Sequence, residues 1–432
     1  MKPWILLGSL LPAFSLAADA PVTFYKDVLP VLQKNCQGCH RPGEAGPMSF
    51  LSYESTRPWA KSIKAAVVTR KMPPWFAEPQ HAKYSNDRSL LQADINTLSA
   101  WADSGAEAGL AADAPPPVKF TPGWAIGKPD VIIEVPKPVS IQARGTMEYQ
   151  YVIVPTGFAE DKWVQFAEAR PTDREHTHHI LAYLRPPGSE WMAKYPKGEF
   201  FEPVNSKEGG GPGDREILGG YAPGTMPYAF QPGQARLIPA GSDIVFQMHY
   251  TTNGKASSDL SSIGLIFAKE PPKVRMITVS AGANNFTIPP NAENFKVDAR
   301  VVLSREATMM SLLPHMHLRG KSFDYRITYP TGEKETILNV PHYEFGWQLT
   351  YELEKPRLLP KGTIIECTAV FDNSANNRFN PDPTQTVKYG EQSWDEMMVG
   401  FFELAVPLRV GPADVFEREQ RRAEYGRGPA QQ

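Results

Sequence analysis

Between residues 131 and 404 the sequence keeps returning to one unit, a short run of Val, Ile, Tyr and Phe closed by Gly or Pro. Such runs occupy 131–134, 149–154, 163–168, 180–184, 243–250 and 263–268. They recur at 297–303, 323–328, 348–352, 364–370 and 397–404. β-Branched and aromatic side chains fit a pleated, half-buried surface, while Gly and Pro supply the turns. The 42 prolines and 33 glycines of the chain match that demand. Regular short strands between turns predict sandwiches or jelly rolls. About 280 residues of this pattern call for two cores rather than one. Two all-β jelly-roll-like sandwiches are therefore expected, at 130–284 and 285–410, with the join near Ala281–Asn285.

The region before them is different. Cys36-Gln37-Gly38-Cys39-His40 has the spacing at which two thiols attach c-type haem and the following imidazole binds its iron. A thioredoxin-like pair would need a βαβ context, and a zinc half-site a second CxxC; neither is present. Helical spacing predicts helices over 24–34, 60–69 and 89–102, the last with Leu90, Leu91, Ile95, Leu98 and Trp101 on its apolar side. The expectation is a small all-α cytochrome c domain at 21–112 with one covalent haem c. Met72, in Lys71-Met72-Pro73-Pro74-Trp75, is the leading sixth ligand, with Met48 and His81 as rivals. From Cys36 through Gly105 this segment resembles cytochrome c domains that carry CxxCHRPG and MPPW. A proline-rich linker, 113–129, is expected to be semi-rigid.

Residues 2–17 carry Lys2, an apolar stretch and Ser15-Leu16-Ala17, the pattern of an export signal (1–17). The stretch is shorter than a bilayer span needs, and no later one is long enough, so a periplasmic or secreted protein without a membrane span is expected. A formal net charge of −2 asks for no nucleic-acid partner. Cys367, left over from the haem motif, reads as a buried thiol in an apolar strand. Residues 205–224 form a Gly-rich loop, either a cover over a site or plain surface, and 411–432 a charged tail.

The chemistry of the β region rests on histidines. His315 and His317 flank Met316 in a strand pattern, so both imidazoles can share a face. His178 and His179 are adjacent, and His249 lies in another strand run. Neighbours in a strand face opposite ways, so the His178–His179 pair needs a strand end or a bulge. Otherwise His176 and His178 would be the pair that shares a face. Three imidazoles suit copper in either oxidation state, whereas a thioether such as Met397, with Met398 next to it, favours Cu(I). Cys367 lacks the downstream His and Met of a blue-copper loop. His81 and His342 fit no ligand position.

In order along the chain, the His178-His179 pair, Gln247-x-His249, His315-x-His317 and Asp395-Glu396-Met397 resemble the copper type II, ascorbate-dependent monooxygenases, which include the peptidylglycine α-hydroxylating and dopamine β-monooxygenases. Ile288-Pro289-Pro290 is similar to the opening of that family's second domain. The likeness spans roughly 130–405. It implies two copper ions facing across a solvent-filled cleft. His178, His179 and His249 would hold the electron-transfer copper. His315, His317 and Met397 would hold the copper at which dioxygen hydroxylates a C–H bond. The departures are informative. Met398 stands where animal members have a cysteine. Leu313, Val399 and Phe401 stand where peptide-amidating members grip a carboxylate. Taken with the export signal and the haem motif, the resemblance leads to the expectation of an exported copper monooxygenase acting on a small organic substrate, with the haem supplying or relaying electrons from ascorbate or a periplasmic redox protein. Two other classes remain open: an electron-transfer or copper-holding protein without oxygenase activity, and a surface binding module with a haem sensor.

Overall fold

A computed structural model describes residues 21–120, 123–203, 215–223, 225 and 227–417. The expected export signal, residues 205–214 and 224 of the Gly-rich loop, and the tail from 418 lie outside the described residues. The fold is mostly β-sheet with few helices. Among the described residues no helix is long and apolar enough to cross a membrane.

The helices come first. A π-helical turn, Phe24–Val28, runs into Leu29–Asn35, and Ala60–Val68 and Gln92–Asp103 follow with short turns between. They close on Phe24, Leu32, Leu98 and Trp101, all fully buried. The third predicted helix starts later than its pattern suggests. Leu91 is extended and exposed, so Leu90 reaches the core from the lead-in to the helix and Leu91 points away.

The β region is built on one nine-stranded sheet that runs through both halves. Val131–Glu134, Ser262–Phe267, Lys162–Arg170 and Gln234–Ile238 form one end. Val274–Ala283, Met398–Val406, Ala307–His315 and Tyr351–Leu359 form the other, and the ninth strand, Tyr228–Ala229, pairs with Lys162–Arg170 off this path. A five-stranded sheet containing Thr177–Arg185 and Asp243–Tyr250 packs on the first end through Val152, Val164, Ile180, Phe246 and Ile263. A four-stranded sheet containing Gly320–Thr328 and Ile364–Phe371 packs on the second. The join differs from the expected one. Val274–Ala283 already contributes Ile277, Val279 and Ala281 to the second core, so the change of core precedes this strand rather than following it. Hydrophobic alternation gives a strand its inward face but not the sheet it joins.

The seam between the ends is a parallel contact of two residue pairs, Val274 with Gln234 and Arg275 with Ala235. Arg236, fully buried beside it, donates to Glu403, to Thr278 Oγ1 (3.0 Å) and to the Ile217 carbonyl.

The N-terminal region is docked on the β body. Glu78 N donates to Asn339 O (2.9 Å), Ser85 N to Glu352 O (2.8 Å), and Glu354 N to Lys83 O (2.9 Å). Trp75 and Tyr84 pack edge-on with Tyr351 of the second sandwich.

Cys367 forms no disulfide and is fully buried. A Cβ at Gly400 would stand 2.5 Å from its sulfur and 2.9 Å from Tyr325 Cε1. Gly400→Ala must therefore push two core side chains apart. It should cost about 1–3 kcal/mol of stability, read as a lowered urea midpoint with an unchanged slope.

Candidate metal centre

The first histidine set is made by a bulge. Asp243–Tyr250 pairs with Thr177–Arg185 as His249 opposite His179, and the next pair is Tyr250 with Thr177. His178 is the residue skipped, and the bulge turns its ring to the side of its neighbour, as bulges do beside active sites. His178 Nδ1 lies 3.2 Å from His179 Nδ1 and 3.3 Å from His249 Nδ1. The ligand atoms of all three fall within 4.8 Å of one another. Two nitrogens about 2.0–2.1 Å from a tetrahedral ion stand roughly 3.3 Å apart, so the spacing suits one. His176 is not in this group; its Nδ1 is 2.7 Å from Asp173 Oδ2.

A chain of hydrogen bonds selects the tautomer of His179. Tyr151 donates to the Glu391 carboxylate (3.0 Å), so its oxygen accepts from the Gln247 amide nitrogen. That leaves the Gln247 carbonyl to accept from His179 Nε2 (3.3 Å). A neutral imidazole with Nε2 protonated offers its Nδ1 lone pair, which is the atom aimed at His178. Burial, then the neighbouring His315, holds the His178 pKa down at about 4. Burial and the other rings hold His179 and His249 well below the usual range. All three are neutral at pH 7, the form that ligates metal.

The second set is arranged differently. The strand Ala307–His315 stops at His315, so His317 is placed by a loop rather than by strand alternation. Glu396 holds that loop by accepting from the backbone N–H groups of His317 (2.9 Å) and Arg319 (2.6 Å). Tyr343 brackets Met316 from the other side, bonding both its N–H and its carbonyl. His315 Nδ1 faces Gln348 Oε1 at 2.9 Å, and the Gln348 amide nitrogen donates to Phe345 O (3.0 Å). His315 therefore presents Nε2. His317 Nδ1 is buried with no hydrogen-bond partner, an orphaned lone pair that a metal ion would satisfy. The two rings stand perpendicular with centroids 5.2 Å apart. His315 is opposite Val399 across the sheet, and Met397 immediately precedes the strand Met398–Val406 that carries Val399. Met397 borders the cavity described next, whereas Met398 is wholly inside the second core.

Both sets border one cavity of about 450 Å³. His179 and Gln247 line it from the first sandwich, and His315, His317 and Met397 from the second. Phe345 stands between the sets, stacked on His178 (4.7 Å) and edge-on to His317 (6.1 Å). Leu313, Val399 and Phe401 are in the wall, as are Trp75, Asn86 and Arg88 from the docked N-terminal region.

Cys36, Cys39 and His40 share one turn, in which Cys39 N (3.1 Å) and His40 N (2.9 Å) both reach Cys36 O. Burial keeps both thiols protonated, pushing Cys36 up to about 12. The His40 ring stacks on Phe50 at 4.4 Å, and its Nδ1 is buried without a hydrogen-bond partner. Two thiols and an imidazole on one turn, against an apolar helical core, could hold a covalent haem. Met72 is half-buried beyond the helix Ala60–Val68. Met48 packs on the helical core, His81 pairs with Glu78, and His342 is exposed.

Gln348, Phe345 and the supporting roles of Glu391 and Glu396 had no signal in the sequence. Gln247 did: it lies two residues before His249 and so on the same face of the strand.

No family model matches the chain, and no curated protein is similar to it. Among solved structures, the VP2 subviral particle of infectious bursal disease virus matches at 10% identity over 67% of this chain and 78% of that one, with a TM-score of 0.19. The T13 particle of the same virus matches at 10% identity over 67% and 73%, with a TM-score of 0.18. Likenesses this slight carry nothing about the chain's function.

Gln247→Leu removes the acceptor that orients His179. The first set should lose roughly 10–100-fold in copper affinity, the usual cost of deleting such a partner. Competition with a chromophoric chelator measures this, and the second set should be unchanged.

Proposed function

We propose that the chain is an exported copper-dependent monooxygenase that hydroxylates a C–H bond of a small, largely apolar organic substrate, with a covalent c-type haem as its electron relay. The observation that carries this reading is the pairing of chemically unlike ligand sets on one cavity. A three-imidazole set accommodates both oxidation states of copper, and a two-imidazole, one-thioether set favours Cu(I), the state that reacts with dioxygen. When bound, the two coppers would supply one-electron transfer and dioxygen activation, so that substrate, dioxygen, two electrons and two protons give alcohol and water.

The protein's own groups do the rest. His178, His179 and His249 would hold the first ion, and the Gln247–Tyr151–Glu391 chain keeps His179 in its ligating tautomer. His315, His317 and Met397 would hold the second. Gln348 fixes the His315 ring, and Glu396 fixes the backbone of His317. Cys36 and Cys39 would attach the haem, and His40 and Met72 would hold its iron. Phe345 and the apolar wall exclude bulk water. Dioxygen and the substrate share the cavity, while ascorbate or a periplasmic redox protein is the electron source. The export signal within residues 2–17 supports a periplasmic or secreted location.

Substrate class follows from the wall. Leu313, Val399 and Phe401 give a carboxylate no partner, and Arg88 in the same lining is outnumbered by Glu352, Glu354, Glu391 and Glu403, which repel it. Burying an unpaired carboxylate costs several kcal/mol. Glycine-extended peptides should therefore be turned over far more slowly than neutral apolar compounds of similar size, in assays of reductant-dependent oxygen uptake.

Met397→Ala should abolish hydroxylated product and leave the copper of the first set in place, as counted by metal analysis and EPR. Met398→Ala should keep both coppers and lose about 2–5 kcal/mol of stability, as a buried Met-to-Ala change does. Copper-loaded, haem-bearing protein that takes up no oxygen with any reductant would favour an electron-transfer or copper-holding role instead.

A further inference from the structure

A semi-rigid proline-rich linker, 113–129, joins the N-terminal region to the β body, and side-chain contacts hold the two together. Glu44, four residues after His40, places its two carboxylate oxygens on two guanidinium groups. Oε1 is 2.8 Å from Arg41 Nη2, in its own loop, and Oε2 is 2.5 Å from Arg174 Nη1, in the first sandwich. Arg174 and Glu44 are both largely shielded from water. Arg174 belongs to the turn that leads into Thr177–Arg185, four residues before His178. The same turn carries Asp173, which anchors His176. The guanidinium also lies over the ring of Tyr221, 5.5 Å from its centroid. Tyr221 is opposite Ile180, next to His179, and borders the cavity. On the other side, Gly46 closes the loop back onto Cys39 (Gly46 N to Cys39 O, 3.0 Å), and a Cβ there would meet His40 Nδ1 at 2.6 Å. Glu44 thus sits in the 41–46 loop that follows Cys36–His40 and closes back onto it, and it bonds to the root of the histidine strand.

A shielded pair of this kind adds little to stability, because desolvation offsets most of the attraction. It does fix geometry, since each guanidinium accepts a carboxylate only in a narrow range of orientations.

We propose that the Glu44–Arg174 pair is the docking contact that fixes the haem-attachment loop against the turn feeding the His178/His179/His249 set, and that Arg174 is a positioning residue for electron transfer between them. This rests on the haem and copper reading above. Each transfer moves one electron: haem iron goes from ferrous to ferric and copper from Cu(II) to Cu(I), with no bond made or broken at the pair. An exported one-electron carrier or ascorbate restores ferrous haem. Because the contact is fixed and shielded, the rate should not depend on protein concentration and should respond weakly to salt.

The test uses full-length, haem-bearing protein and the variants Arg174→Gln, Glu44→Gln and Arg174→Lys. Hydrogen exchange on copper-free protein reads docking at residues 41–46 and 173–177. Stopped-flow absorbance reads oxidation of ferrous haem after Cu(II) loading. Both Gln variants should lose protection in both segments and slow haem oxidation on the order of tenfold or more, as misplacing a reacting pair does. Arg174→Lys, which keeps one charged contact, should fall between, and the haem potential should be the same in all four proteins. Unchanged protection would overturn the docking role, and lost protection with an unchanged rate would overturn the positioning role. Wild-type protein that shows no copper-dependent haem oxidation defeats the relay reading itself, and the positioning role with it. Wild-type transfer that the Gln variants leave intact defeats only the present proposal.

Discussion

The buried charge of Arg236 is the constraint on which the relative placement of the two histidine sets depends. An isolated guanidinium in a protein interior costs several kcal/mol, so the surroundings must offset its charge. Glu403, Thr278 and the Ile217 carbonyl bond to it, and Glu216 stands 3.5 Å from its Nε. Arg275 joins Glu216 at 3.0 Å, so two cations face two anions. Burial alone would weaken the proton's hold on Arg236, but Glu403 and Glu216 outweigh it and keep the residue charged. Each anion belongs to a site-bearing layer. Glu216 immediately precedes Ile217–Tyr221, the strand paired with Thr177–Arg185, which carries His178 and His179. Glu403 is opposite Ser311 on the strand that ends at His315. The parallel seam between the sheet halves spans only two residue pairs. The charge cluster thus does much of the work of holding the two sets at one cavity.

What could be read from the residues, and what could not, divides along physical lines. The adjacent His178 and His179 required a break in strand alternation, and the bulge opposite His249 is that break. The alternation of His315 and His317 suggested one strand face, but the strand stops at His315 and Glu396 orients the rest from far along the chain. The expected strand runs pass from 263–268 to 297–303 and omit Val274–Ala283, so the join was expected after a strand that already belongs to the second core. The helix pattern included Leu91, which the extended lead-in leaves exposed. Docking of the N-terminal region was illegible for a different reason: much of it is made by backbone groups of residues 78–85, which any sequence can supply.

The two sets also differ in how they are held. The first is rooted in a strand ladder and keeps its form through hydrogen bonds between strands. The second sits at a strand end and relies on side chains, with Gln348 on one ring and Glu396 on the loop of the other. A site built on a strand is rigid by default, whereas one built on a loop is only as rigid as its supports. Burial raises Glu396 to about 8 despite the N–H groups it accepts from, so the loop rests on a carboxyl that is costly to ionise. Arg319 offsets part of that cost; its guanidinium is fixed by Asn373 (2.8 Å) and the Trp394 carbonyl (2.8 Å).

These supports converge on residues 390–397. Glu391 ends the chain of hydrogen bonds that selects the His179 tautomer, Glu396 holds the backbone of His317, and Met397 faces the cavity. The segment closes on itself through Gly390 N to Glu396 O (3.1 Å), and a Cβ at Gly390 would collide with the Asp395 carboxylate. One eight-residue segment thus carries a support for each histidine set: the carboxylate that ends the chain of hydrogen bonds to His179, and the carboxylate that holds the backbone of His317.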